Sequence, residues 1–236
     1  MKIISWNCQM AFRKKGHLMQ LENPDILIIL ECENLDNLKK LNLDAANSLW
    51  YGKNKNKGIG IFSFGSYQLS MMDIHNKDIE IVIPIIVTNN DFRFFLFAVW
   101  AQRTKDYDYR HIGQIWKAIS HYKEILSNEK VIIIGDFNSN IMWDKNHRLA
   151  SHSMTVEALS NLLIYSSYHN HYGVSQGGES HPTFFLYRHK NKPYHIDYCF
   201  TSNYFNKRLK SVLVGNYDDW RKYSDHLPLI VDFDIL

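Results

Sequence analysis

Three amides, four acids and one histidine stand at the ends of strand-like apolar runs, or inside them. "VIIIGDFNSN" places Asp136 and Asn138 directly after four aliphatic residues and a glycine. "IISWNCQ" stops at Asn7, and "DILIILECEN" stops at Glu31. "FLFAVWAQR" ends in Trp100, Gln102 and Arg103. "PYHIDYCF" carries Asp197 within an apolar run, and "YSDHLPLIVDF" sets Asp225 and His226 just before the last one. Carboxylates and an imidazole are groups that acid–base catalysis draws on, and amides can hold such groups or a phosphate by hydrogen bonds. Strand ends are where a rigid scaffold presents them.

Each residue also has a plainer reading. Asn7 can cap a turn, and Asp136 with Asn138 can form an Asx turn. Glu31 with Glu33 reads as a solvated acidic loop, and His226 as a structural histidine. Asp197 fits less easily, because its neighbours Ile196, Tyr198, Cys199 and Phe200 read as buried. A buried carboxylate needs a partner. The force of the pattern lies in the ordered set rather than in any one member.

The elements that must position these groups are mostly strands. Apolar runs predict them at Lys2–Trp6, Asp25–Leu30, Gly58–Ser63, Glu80–Val87, Phe92–Trp100, Lys130–Gly135, His195–Thr201 and Leu227–Phe233. Several show little alternation, as expected of strands covered on both faces. "NNDF" reads as a hairpin turn. A helical stripe runs from Tyr109 to Leu126, and another from Met154 to Leu163 with Ser153 as its N-cap. Shorter helices are expected at Gly16–Leu21 and Leu35–Leu41. Strands outnumber helices, so the expectation is an α+β chain, with a mixed sheet or two packed sheets and helices outside.

The chain's 236 residues allow one domain with a real core, and no linker or repeat divides them. Hydrophobic residues make up 45% and charged residues 22%, an ordinary globular balance. A net charge of +3 and a pI near 8.6 are compatible with a polyanionic partner. Cys8, Cys32 and Cys199 are odd in number and lack a CxxC pair, which argues against a disulfide framework and for a reduced, cytoplasmic setting. No apolar run is long enough to span a bilayer.

The ordered motifs resemble the endonuclease/exonuclease/phosphatase superfamily, which includes exodeoxyribonuclease III and deoxyribonuclease I. "SWN" is similar to its Asn motif, and "PDILIILECE" to its Pro-Asp…Gln-Glu motif. "GIGIFS" resembles its glycine-rich strand. "GDFNSN", "HIDYCF" and "SDHLPLIVDF" resemble its Gly-Asp-Phe-Asn, Asp-Tyr and Ser-Asp-His motifs. The likeness runs from residue 3 to residue 233. It implies a four-layered α/β/β/α sandwich and hydrolysis of a phosphate ester with magnesium or manganese, whose oxygen-ligand chemistry suits these residues.

On this resemblance, Glu31 is the principal metal ligand, with Asn7 beside it and Asp225 as ligand or outer partner. Asp136 orients or deprotonates the attacking water. Asn138 bonds the phosphate, or holds Asp136 and water in line. His226 stabilises charge on the phosphate, and Asp197 pairs with His226 and keeps it cationic. Three positions depart from the family pattern. Leu30 stands where many relatives have Gln. Trp100 stands where exodeoxyribonuclease III-type nucleases have a Tyr, leaving Gln102 and Arg103 to contact the phosphate. Gln9 stands where some relatives have a second acid.

The superfamily's substrates range from DNA and RNA to inositol phosphates and sphingomyelin, so the motifs do not choose one. Basic loops with interleaved tyrosines lean toward nucleic acid, DNA above all. They are "YGKNKNKG" with Lys53, Lys55 and Lys57, "RTKDYDYRH" with Arg103, Lys105 and Arg110, and "YRHKNKPYH" with Arg188, Lys190 and Lys192. An extended "GKNKNKG" would set its three lysines on one face. The plainer reading is solvated loops. His169, His171, His181 and His189 lack zinc-ligand spacing and read as surface histidines. The alternatives are a phosphodiesterase or phosphatase for small-molecule, RNA or lipid head-group phosphates, and a non-catalytic phosphate-binding module.

Overall fold

The computed structural model describes residues 1–76, 78–79, 82–103, 109–144 and 150–235. The strands are β1 (Lys2–Asn7), β2 (Ile26–Cys32), β3 (Asn47–Asn54), β4 (Lys57–Ser63), β5 (Gln68–Met71), β6 (Val82–Asn89) and β7 (Phe92–Trp100). They continue with β8 (Val131–Asp136), β9 (Ile164–Ser166), β10 (Phe184–Phe185), β11 (Pro193–Tyr194), β12 (Asp197–Ser202), β13 (Leu209–Val214) and β14 (Leu229–Phe233). One six-stranded sheet has the order β13-β14-β1-β2-β4-β3, and the other β5-β6-β7-β8-β12-β9. β10 and β11 form a separate ribbon. Each large sheet contains one parallel pair, β1 with β2 and β7 with β8, and is otherwise antiparallel.

The long apolar runs follow from packing on both faces. Ile26, Ile28 and Leu30 of β2 point between the sheets, where they meet Leu96, Ala98, Ile132 and Ile134. Leu27 and Ile29 point the other way, onto Phe12, Met19 and Leu38. On the second sheet Phe95, Phe97, Val99, Val131 and Ile133 face the helical layer of Ile112, Ile115, Ile119 and Leu159. Three apolar layers therefore separate helices, sheet, sheet and helices, and a strand between two such layers has no polar face to show.

Local details differ from the sequence expectation in several places, among them the expected Leu35–Leu41 helix, which ends at Leu38. The predicted Tyr109–Leu126 helix is two, Ile112–His121 and Lys123–Asn128, broken at Tyr122. The second long helix is His152–Asn161, with Ser151 as its cap. The Ser151 hydroxyl accepts from the Met154 N–H, whereas the Ser153 hydroxyl donates to Asp144. β6 starts at Val82, and Glu80 and Ile81 lie outside the described residues.

Direction is what gathers the polar residues. β1, β2, β7 and β8 end, and β4, β12 and β14 begin, at the same edge of the sandwich. Asn7, Glu31, Trp100, Asp136, Lys57, Asp197 and His226 lie at or beside these seven strand ends.

Candidate active site

Asp136 is the last residue of β8 and is fully buried. It sits in register between Trp100 of β7 and Asp197 of β12. Gly135 before it has φ +146, and a Cβ there would lie 1.9 Å from the Val99 carbonyl oxygen. Only glycine lets β7 approach so closely. Gly135→Ala is expected to destabilise the fold by about 3 kcal/mol, through overpacking against backbone that cannot yield. Chemical denaturation measures this.

The Asp136 carboxylate is held from several sides. The Asn138 backbone N–H donates to Oδ1 at 2.8 Å, and the Asn138 side-chain amide donates to Oδ2 at 3.1 Å. The Asn7 amide donates to Oδ2 at 3.2 Å. Asn138 has φ +47, a left-handed conformation that asparagine tolerates, and its amide also donates to the Ala101 carbonyl. The Asx-turn bonding read from the sequence is therefore present, and it fixes a buried carboxylate at the strand end.

Asp197 opens β12 and accepts from His226 Nδ1 at 2.9 Å. His226 Nε2 lies 3.9 Å from Asp136 Oδ2. The imidazole thus bridges two carboxylates, all three groups being buried. The buried Thr183 hydroxyl accepts from the Ile196 and Asp197 N–H groups, both at 3.0 Å. Ser224 ties the preceding loop to β1, donating to the Asn7 carbonyl and accepting from the His226 N–H. The Trp6 indole donates to the His226 carbonyl.

Electrostatics divides the roles. Burial pushes the Asp136 carboxyl up to about 7, against the pull of the His226 cation. Burial alone would lower His226, but Asp197 and Asp136 outweigh it and hold the imidazole at about 9. Between these values an ionised carboxylate faces a cationic imidazole. That pair can accept a proton on one side and stabilise a growing oxyanion on the other.

Glu31 occupies a bulge. The β2–β4 register shifts between Leu30 and Cys32, and Glu31 between them has φ +59. Left-handed backbone at a non-glycine residue is strained and concentrates at functional sites. The bulge turns the Glu31 carboxylate to the Lys57 ammonium, 3.2 Å away. Asn7 pairs with Leu30 across β1–β2 and so stands next to Glu31 along the edge. Asp225 accepts from the Gln9 side-chain amide at 2.9 Å, and Gln9 in turn accepts from the Arg188 guanidinium.

From His226 a file of rings leads outward. Phe184 lies 4.7 Å from the imidazole, Tyr194 6.3 Å from Phe184, and the half-exposed Trp143 5.1 Å from Tyr194, centroid to centroid.

The signature of the endonuclease/exonuclease/phosphatase family matches residues 4–226. The chain belongs to this family. Its enzymes are typically metal-dependent phosphodiesterases. Among solved structures the chain is similar to a 3′ phosphatase, NExo, from Neisseria bound to a product DNA hairpin, with 19% identity, a TM-score of 0.73 and full coverage of both chains. It is also similar to an AP endonuclease from Archaeoglobus fulgidus, at 17% identity, TM-score 0.71 and full coverage of both. Truncated TDP2 from Caenorhabditis elegans gives 14% and 0.70, over 98% of this chain and 96% of that one. These likenesses carry the fold. No curated protein sequence matches the chain significantly.

The family's divalent cation could be held on the Glu31 side. Glu31, Asn7 and Asp225 offer carboxylate and amide oxygens, which hard cations prefer. The place beside Glu31 also already attracts positive charge, in the form of Lys57. Asp136, Asp197 and His226 have potential ligand atoms within 4.8 Å of one another. That group is satisfied internally, with one imidazolium between two carboxylates, and suits proton handling better than metal binding.

The substrate-side residues divide. Trp100 and Gln102 line a cavity of about 200 Å³ with Tyr51, Lys53, Asn54 and Lys57. Arg103 is exposed, and Lys105 lies outside the described residues. Lys53, Lys55 and Lys57 do not share one extended face, because the chain turns back as a hairpin with Asn54 opposite Lys57. Lys53 ends up on the β3 side and Lys55 at the tip, where its carbonyl accepts from Asn34, while Lys57 reaches the site. Glu33 is buried, accepting from the Phe12 N–H and pairing with Arg13, so it is no solvated loop residue. His169 is buried against Glu179 at 3.0 Å, unlike the exposed His171, His181 and His189.

Sequence reasoning gave no role to Thr183, Ser224, Phe184 and Trp143, and reached Tyr194 only as a ring within the basic stretch "YRHKNKPYH". Serine in "SDH" and threonine in "PTFF" were visible as flanking polar residues beside motif strands, a weak signal. Beyond Tyr194 the ring file had none, since Phe184 and Trp143 come from other segments of the chain.

Proposed function

We propose that this family member hydrolyses phosphodiesters in nucleic acid, DNA foremost, with magnesium or manganese. The observation that carries the reading is the file of rings from His226 to Trp143. A nucleobase stacks on aromatic faces irrespective of its identity. Phosphate held at His226 would place the adjoining base beside Phe184 and Tyr194. Arg188, Lys190 and Lys192, on the loop before Tyr194, supply positive charge for neighbouring phosphates.

Asn138 and Asn7 fix the Asp136 carboxylate so that a water bonded to it is aimed along one line. Asp136 takes the water's proton as the oxygen attacks phosphorus, the bond from phosphorus to the ester oxygen breaks, and that leaving oxygen draws its proton from solvent. His226, cationic and oriented by Asp197, donates a hydrogen bond from Nε2 to a phosphate oxygen as negative charge grows there. Glu31, Asn7 and Asp225 would hold the cation, which would supply Lewis-acid stabilisation of phosphate charge. Trp100 has no phenol to protonate the leaving oxygen, and Gln102 and Arg103 remain to contact the phosphate.

The test is a panel of duplex, abasic and single-stranded DNA, RNA and small phosphodiesters, each assayed with manganese, magnesium or excess chelator. Metal-dependent cleavage of a polynucleotide is the expected outcome. Cleavage of small diesters alone would transfer the chain to that substrate class. Full activity in chelator would overturn the metal reading, and metal binding without hydrolysis would indicate a binding module.

A further inference from the structure

We propose that Lys57 is a built-in counterion. Its ammonium holds the cation position beside Glu31 and leaves it for the substrate's phosphate when the divalent cation enters. The inference deepens the metal-dependent reading above and rests on it.

Three observations meet at Lys57. Its Nζ lies 3.2 Å from Glu31 Oε1. The same Nζ lies 5.2 Å from the centroid of the Trp100 ring, whose face attracts a cation without neutralising it. Lys57 also lines the cavity of about 200 Å³ whose wall includes Trp100, Gln102, Tyr51 and Asn54. The ammonium therefore stands between an anionic carboxylate and open space, on a flexible four-carbon stem.

The backbone fixes this placement. Lys57 begins β4 and closes the hairpin opposite Asn54. The next residue, Gly58, pairs with Cys32 just beyond the bulge that turns Glu31. A Cβ on Gly58 would come within 2.5 Å of the Tyr51 carbonyl oxygen and of the Trp50 ring. Bulge and hairpin therefore hold the carboxylate and the lysine stem against each other.

A divalent cation and an ammonium cannot both sit within a few ångströms of one carboxylate without strong repulsion. Metal entry must displace Lys57, and the cavity beside Trp100 can receive it. There the ammonium would meet the phosphate that the metal also serves. Conversely, a phosphate that draws Lys57 away leaves Glu31 open to metal. Linkage makes the two effects equal in size. Empty protein would hold metal loosely, and protein with phosphate bound would hold it tightly.

The test measures manganese binding by electron paramagnetic resonance and calorimetry, with and without deoxythymidine 5′-monophosphate as the phosphate probe. The proteins are wild type, Lys57→Met and Lys57→Arg, with thermal unfolding as the fold check. Lys57→Met should bind manganese about fivefold or more tighter than wild type when no nucleotide is present. Nucleotide should tighten manganese binding in wild type, and by a smaller factor in Lys57→Met. Lys57→Arg should behave as wild type. Unchanged or weaker manganese affinity in Lys57→Met would show an ordinary surface ion pair and overturn the proposal. The same nucleotide effect in both proteins would also overturn it, since phosphate would then attract the metal directly. No manganese binding in any of the three would instead sink the metal reading beneath it.

Discussion

Asp136→Asn is expected to lower kcat by about 10²–10⁴-fold, the range for a positioned acid–base group. The substitution keeps shape, and the introduced amide oxygen can still accept from the Asn7 and Asn138 side-chain amides, while its NH2 replaces the acceptor of the Asn138 backbone N–H. It removes the carboxylate proposed to take the water's proton. A loss of catalysis has a signature that a loss of folding lacks. Asp136 is held up at about 7 by burial, so wild-type activity should climb with pH through that value as the carboxyl ionises. It should fall again near 9 as His226 loses its proton. In Asp136→Asn the residual activity should lack the acidic limb, and its alkaline limb should move down from about 9, because the Asp136 charge helps to keep His226 protonated. The measurements are kcat against pH for both proteins, with circular dichroism to compare folds. Near-wild-type turnover in a folded Asp136→Asn protein would remove Asp136 from the mechanism.

The frame of this site was legible because strands buried on both faces write uninterrupted apolar runs. "ILIIL" and "VIII" could end only in a loop or a site, and Glu31 and Asp136 marked where. The paired sheets and the outer helices agree with the α/β/β/α arrangement that the motif order implied. Illegible were the features that depend on one residue's backbone. The bulge at Glu31 and the left-handed run Gln9, Met10 and Ala11 have no periodicity to detect. The hairpin that separates Lys53, Lys55 and Lys57 reverses direction in two residues, and an alternating "KNKNK" looks the same folded or extended. The buried His169 and Glu33 look polar in sequence, because a side chain's partner in space leaves no mark beside it in the chain. Strands such as β3, half-buried along most of its length, lack the apolar density that gave away the central ones.

Asp197→Asn tests the other half of the pair, and its effect should fall on the alkaline limb. The introduced amide oxygen can still accept from His226 Nδ1, so the ring keeps its orientation. What disappears is the negative charge that does most to offset the burial of the imidazole. Burial then prevails, His226 releases its proton at lower pH, and the alkaline limb shifts downward from about 9. At pH 8 the neutral ring meets the developing oxyanion without its charge. Activity there should drop by about 10²-fold or more, as when a positioned electrostatic donor is lost. Acidification should recover part of it, because protonated His226 returns as pH falls. Recovery stops where Asp136 begins to take up its own proton, so the optimum should be lower, narrower and weaker than in wild type. A profile scaled down uniformly, with its alkaline limb in place, would mean that Asp197 only braces β12 and that His226 owes its charge to Asp136 alone.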